Sequence, residues 1–175
     1  MPTPDQGWSW WWRYVLMTNI GWFPGILTGM FVGRFILPHE TSYLVREAVQ
    51  ALICSASFGI AQAGELREFL GGRSGWVLAT MLGWTTGVVF ARWLLTAHGI
   101  ALPLSQDASL VAGIAGTFLG AAQAVPLSRK VEKWWLWVAM SAVGWATLFP
   151  GALAGIGMIY LARNSARKPK EYKGL

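Results

Sequence analysis

One stretch of this chain occurs twice. Residues 112–145 repeat residues 51–84, displaced by 61 positions without a gap. Between 59–87 and 120–148 the copies share Gly59/Gly120, Ala61/Ala122, Gln62/Gln123, Ala63/Ala124, Leu66/Leu127, Trp76/Trp137, Val77/Val138, Gly83/Gly144, Trp84/Trp145 and Thr86/Thr147. Each copy reads as an apolar helix rich in small residues, a short charged connection, and a second apolar helix that opens with Trp. A repeat of this length makes the supersecondary unit the building block of the fold. Here the unit is a helical hairpin, and its apolar length asks for a bilayer around it.

Composition agrees where it bears on that point. Charged residues make up 13% of the chain and hydrophobic ones 54%, against roughly a quarter charged in a soluble domain. The 12 Trp and 21 Gly suit membrane helices and their interfaces. The basic residues sit in short connections and in the segment after Leu161, so the net charge of +6 reads as membrane topology and not as a nucleic-acid surface. Cys54 stands alone in an apolar run, which leaves no disulfide framework and no Cys cluster for a metal. The first residues, Met-Pro-Thr-Pro-Asp, lack a basic n-region, so the first apolar stretch reads as a retained helix.

Five spans are expected, at about 9–36, 43–66, 76–97, 109–127 and 134–162, within one bundle over 1–162, followed by a basic tail at 163–175. The fold class is an all-α integral membrane protein with an internal hairpin repeat. Every span carries small residues at spacing four, which lets backbones approach closely where lipid supplies little hydrophobic drive. The packing set is Gly21, Gly25, Gly29 and Gly33, then Ser55 and Gly59, Gly83 and Gly87, Gly116 and Gly120, and Gly151 and Gly155. Pro24 is expected to kink the first helix, Thr41 or Ser42 to cap the second, and Pro150-Gly151 to break the fifth. The first helix echoes the last, with Gly21-Trp22 and Phe23-Pro24-Gly25 against Gly144-Trp145 and Phe149-Pro150-Gly151. Six basic residues fall on one side and eight on the other, too even for the positive-inside rule. The lightly charged N-terminus favours a cytoplasmic C-terminus.

Ionisable groups at depth mark catalysis and ion coupling in membranes, and the middle thirds of these spans hold no Asp, Glu, Lys or His. No metal-ligand spacing, nucleophile elbow or phosphate loop is present. The most pointed polar residues are Gln62 and Gln123, each near the end of its helix. They are expected to bond Trp84 and Trp145 across each hairpin, fixing register, or else to face a pigment, quinone or lipid headgroup. Asn19 is expected to make another interhelical bond. His39 and His98 lie just outside spans on one side, as solvated loop residues or as candidates for holding a porphyrin-type metal. The Trp clusters at 8–12, 76 and 134–137 read as interfacial anchors.

At these residues the chain resembles a group of small multi-pass membrane proteins of photosynthetic and related bacteria. Their hairpins pair a G-x-x-Q helix end with a W-x6-G-W helix start: here Gly59 to Gln62 with Trp76 to Trp84, and Gly120 to Gln123 with Trp137 to Trp145. The resemblance covers roughly 45–160 and departs at Pro126, which interrupts one turn, and in the first helix, which has no Gln-bearing partner before it. It implies the architecture and no activity.

The expected function is a non-enzymatic subunit or accessory protein of a larger membrane complex, in a bacterial cell (inner) membrane or one derived from it. Small-residue faces left over from the bundle would dock other transmembrane helices, in a hetero-complex or a homo-oligomer, with bound lipid. A small solute or ion conduit along Asn19, Gln62 and Gln123 is one alternative. Binding of a tetrapyrrole, carotenoid or quinone is another.

Overall fold

The computed structural model describes residues 7–67, 73–129, 131–147, 156 and 160. Five α-helices follow one another: α1 (Gly7–Phe31), α2 (Tyr43–Glu65), α3 (Ser74–Ala97), α4 (Leu104–Ser128) and α5 (Trp135–Ala146). A π-helical turn, Val32–Ile36, extends α1 without a break. Among the described residues there is no strand, as expected of a chain whose backbone amides must be satisfied within each segment in lipid. Trp11–Ile36, Tyr43–Arg67, Ser74–Ala97 and Leu104–Ser128 are each long and apolar enough to cross a membrane. The protein is an all-α, multi-pass integral membrane protein.

The 12 described residues of α5 are apolar but shorter than the ~20 that a span needs. Gly151, Gly155, the Pro150-Gly151 break and the basic tail lie outside the described residues. α4 begins at Leu104, five residues before its expected start. Pro103 and Asp107 look like loop residues in sequence, yet Pro103 sits at the N-cap and the Asp107 amide bonds its carbonyl. An acidic side chain in the first turn also suits the helix dipole. Pro126 does not interrupt α4, which continues to Ser128, and α1 runs through Pro24. Ser42 holds the N-cap position of α2 without a side-chain bond.

Consecutive helices pack along their small-residue faces. A methyl group built on Gly21 would lie 2.5 Å from the Phe58 Cα, and one on Gly25 would lie 2.9 Å from the Cys54 Cα, so α1 and α2 touch backbone to backbone. Gly83 and Gly87 bring α3 equally close to α4 at Leu119 and Ala115, and Gly116 and Gly120 bring α4 onto α5 at Trp145 and Val138. Gly59 faces Thr80 of α3. Ring contacts tie α1 to α5: Tyr14 meets Trp137 at 6.3 Å and Trp22 meets Trp145 at 6.1 Å between centroids.

The connection between α1 and α2 is held from one side chain. The Arg46 guanidinium donates to the carbonyls of Gly33 (3.1 Å), Pro38 (2.7 Å), His39 (2.9 Å) and Thr41 (3.1 Å). The π turn, closed by the Leu37 amide on the Val32 carbonyl, leaves the Gly33 carbonyl available for that bond. Charge-assisted bonds contribute about 1.5–3 kcal/mol each when one partner is removed, so Arg46→Met is expected to loosen residues 37–42. Amide exchange there should quicken at least tenfold, and Arg46→Lys should restore little, since one ammonium lacks the planar fork. Unchanged exchange in Arg46→Met would refute this.

Candidate functional site

The buried interior has three levels. Five polar residues, one from each helix, form the middle one: Thr18, Gln62, Thr80, Gln123 and Ser141, all at most 3% exposed. One helical turn to one side lie Tyr14, Leu66, Trp76, Leu127 and Trp137, which form an apolar plug. One turn to the other side lie Trp22, Phe58, Trp84, Leu119 and Trp145. Residues four apart stack on one helix face, so five helices each contribute one side chain to each level.

Four residues of the polar level, Thr18, Gln62, Thr80 and Gln123, form a continuous hydrogen-bond network with Trp76 and Trp137. Gln62 donates through Nε2 to Thr18 Oγ1 (3.2 Å), and its Oε1 accepts from Trp76 Nε1 (3.2 Å). Gln123 does the same 61 residues later, donating to Thr80 Oγ1 (2.8 Å) and accepting from Trp137 Nε1 (3.0 Å). A further bond from Gln123 Nε2 to Gln62 Oε1 (3.3 Å) joins the two units. The threonine hydroxyls in turn donate to the carbonyls of Tyr14 and Trp76. Both donors of Gln123 and both acceptor positions of Gln62 are used.

The expected partners of the glutamines therefore need correcting. Trp76 and Trp137, not Trp84 and Trp145, bond Gln62 and Gln123, and these two indoles are 1% exposed instead of anchored at an interface. Thr80 and Ser141 occupy the glutamine level. The Trp one turn outward reaches the amide, while the Trp one turn inward packs on rings: Trp84 on Trp145 at 4.3 Å and on Phe58 at 5.7 Å. Asn19 donates to the Val15 carbonyl of its own helix (2.8 Å), a local bond open to a short amide side chain. Gln62 and Gln123 lie between two levels of buried rings and leucines, and Asn19 is half-buried.

Beyond the ring level a cleft of about 410 Å³ opens between the helices. Trp22, Trp84 and Trp145 form its floor, and Ile26, Met30, Val88, Val111 and Ala112 its walls. Its mouth carries Glu47, Gln50 and Arg92. Arg92 bonds Glu47 through Nε (3.3 Å) and Asp107 through Nη1 (2.6 Å), tying α3 to both α2 and α4, with each side chain only 20–24% exposed. From Trp84 to Arg92 is eight residues of α3, about 12 Å of depth at 1.5 Å per residue. The volume lies within the roughly 300–1,000 Å³ of small-molecule sites.

One cleft-lining side chain has an enclosed polar atom without a partner. Trp22 Nε1 is buried and has no hydrogen-bond partner, although an N–H cut off from both water and protein costs about 1–3 kcal/mol. Thr85 Oγ1 is similarly placed but is not among the cleft-lining residues. The indoles of Trp76 and Trp137, by contrast, are buried and partnered.

His39 and His98 are exposed in the connections at the mouth end and line neither the cleft nor the network. They are also far from Gln62 and Gln123, which lie beyond the ring level. Arg92, Glu47 and Asp107 were legible only as charges near span ends. Three charged residues within a turn or two of span ends on the same membrane face, two acidic and one basic, are the signal the sequence carries for their cluster. No family model, no curated protein and no solved structure matches the chain, so its classification rests on its own helices: an all-α membrane protein of several spans.

Proposed function

We propose that this is a non-enzymatic membrane protein that holds one apolar molecule, drawn from the surrounding bilayer, in the cleft floored by Trp22, Trp84 and Trp145. The observation that carries the reading is that cleft: apolar walls, an aromatic floor and a narrow set of polar groups at one end are the recurring make-up of small-molecule sites. It would serve in a cell (inner) membrane or one derived from it, where helical and not barrel spans are the rule.

A role as a docking subunit loses part of its expected basis. The glycines at spacing four on α1, α3 and α4 make contacts inside the bundle, whereas Gly64, Gly75 and Gly99 have open space around them. The outward faces are large and apolar instead, such as Leu16, Phe23, Leu27 and Phe35 on α1 and its π turn, and lipid accounts for them.

The test is extraction of the protein from its native membrane in mild detergent, followed by mass spectrometry of the organic extract and an absorbance spectrum. A single apolar species at about one per chain is expected, and it should be absent from Ala108→Trp, which fills the cleft near its mouth away from the floor. The same lipid mixture from both proteins would overturn the reading.

A further inference from the structure

Where the chain arrives after α5 bears on the side from which the cleft is filled. Resting on the binding reading above, we infer that the cleft opens towards the non-cytoplasmic face, so that its apolar ligand is drawn from the outer leaflet.

Lys133 precedes α5, and Tyr160 follows its described end, Ala146, by fourteen residues. One uninterrupted helix from 133 to 160 would hold the two about 40 Å apart at 1.5 Å per residue. Instead the Lys133 ammonium lies 5.9 Å from the centre of the Tyr160 ring, a distance at which a cation and a ring attract. Tyr160 is therefore on the face where α5 begins. The residues beyond it, 161–175, hold no apolar run long enough to cross again, so the basic tail leaves on that face. The same face carries the start of α1 and the end of α2, joined by the Arg13–Glu65 ion pair at 3.1 Å.

That placement changes the balance of charge across the membrane. The five basic residues of the tail join Arg13, Arg67, Arg73, Arg129, Lys130 and Lys133, and Arg34, Arg46 and Arg92 remain opposite. Six against eight becomes eleven against three. The positive-inside rule counts Lys and Arg near span ends, and this asymmetry makes the crowded face cytoplasmic. On the sparse face, Arg46 is occupied by backbone carbonyls and Arg92 by Glu47 and Asp107.

The cleft belongs to the sparse face, because Arg92 and Glu47 at its mouth lie near the end of α3 and the start of α2. Its depth of about 12 Å is a little less than half of a ~30 Å hydrocarbon core. Towards the cytoplasm the bundle is closed by the glutamine network and then by Tyr14, Leu66, Trp76, Leu127 and Trp137, each at most 1% exposed. The floor is thus open to the outer leaflet and blocked from the inner one.

Single cysteines, labelled with a membrane-impermeant maleimide in spheroplasts and again after lysis, test this in a Cys54→Ala background. His98→Cys, exposed beyond α3, reports the mouth face. Ser74→Cys, exposed at the start of α3, reports the other face, and Leu175→Cys reports the tail. His98→Cys should label fully in spheroplasts, whereas Ser74→Cys and Leu175→Cys should label only after lysis. If Leu175→Cys follows His98→Cys and not Ser74→Cys, the tail is on the mouth face and the charge asymmetry is lost, which overturns the inference. If Ser74→Cys and Leu175→Cys label in spheroplasts while His98→Cys is protected, the cleft faces the cytoplasm and the outer-leaflet assignment fails. Neither result removes the cleft as a binding site, which the Ala108→Trp extract tests separately. Identical lipid mixtures in that extract would remove the ligand and leave the orientation standing.

Discussion

Gly21→Val is expected to force α1 away from α2 and to destabilise the bundle by about 3 kcal/mol or more, the upper range for overpacking a close-packed interior. The obstacle is backbone. A Cβ on Gly21 would meet the Phe58 Cα at 2.5 Å, the Ala61 Cβ at 2.9 Å and the Ser57 carbonyl oxygen at 3.0 Å. Neither a Cα nor a carbonyl oxygen can rotate aside, so two helices must move. Intrinsic propensity points the other way, since a glycine in a helix interior is about 1 kcal/mol worse than alanine. The contrast supplies its own control: Gly64→Ala and Gly75→Ala, with nothing within 4 Å of the new methyl, should be neutral or stabilising by up to about 1 kcal/mol. Unfolding by a denaturing detergent titrated into mild micelles reads both. A wild-type midpoint for Gly21→Val would show that α1 does not need this contact.

Gln123→Leu is the second large effect, expected at about 1–3 kcal/mol. A hydrogen bond between membrane helices contributes only about 0.6 kcal/mol on average, so the bonds lost are not the main term. What costs more is Trp137 Nε1, left without an acceptor at 1% exposure. Thr80 keeps its bond to the Trp76 carbonyl, and Gln62 keeps Trp76. Deleting the stranded donor as well should therefore recover most of the loss, and Gln123→Leu with Trp137→Phe is expected within about 1 kcal/mol of wild type. If the double variant is as unstable as the sum of its parts, orphaning is not the cause. Gln62→Leu should behave similarly through Trp76, with one amide donor of Gln123 also left idle.

Much of the architecture is carried by local pattern. Apolar length, small residues at spacing four and charged connections are read within one helix or one hairpin, and no distant contact is needed to see them. The same is true of Gln62 and Gln123 as the unusual polar residues, since each is conspicuous against its own apolar neighbours. Their partners were harder to name. Trp76 and Trp84 are both on the following helix, eight residues apart, and only the height at which α2 and α3 meet, marked by Thr80 at the glutamine level, chooses between them. The start of α4 was missed for a different reason: Pro103 and Asp107 carry loop signals, but a proline at a helix start loses no bond that the helix would use, and Asp107 is held by Arg92.

By itself, then, the sequence determined the solvent, the hairpin unit and the faces on which helices approach, because these depend on composition and on periods shorter than one helix. The tertiary structure alone decided the closed Gln–Thr–Trp network, the ion cluster at Arg92 and the cleft above three tryptophans. Those features join residues 44, 45 and 61 positions apart. The repeat pairs Gln62 with Gln123 in sequence but does not say that they touch, and whether a Trp ends as a network donor or as the floor of a cavity depends on one helical turn of relative height.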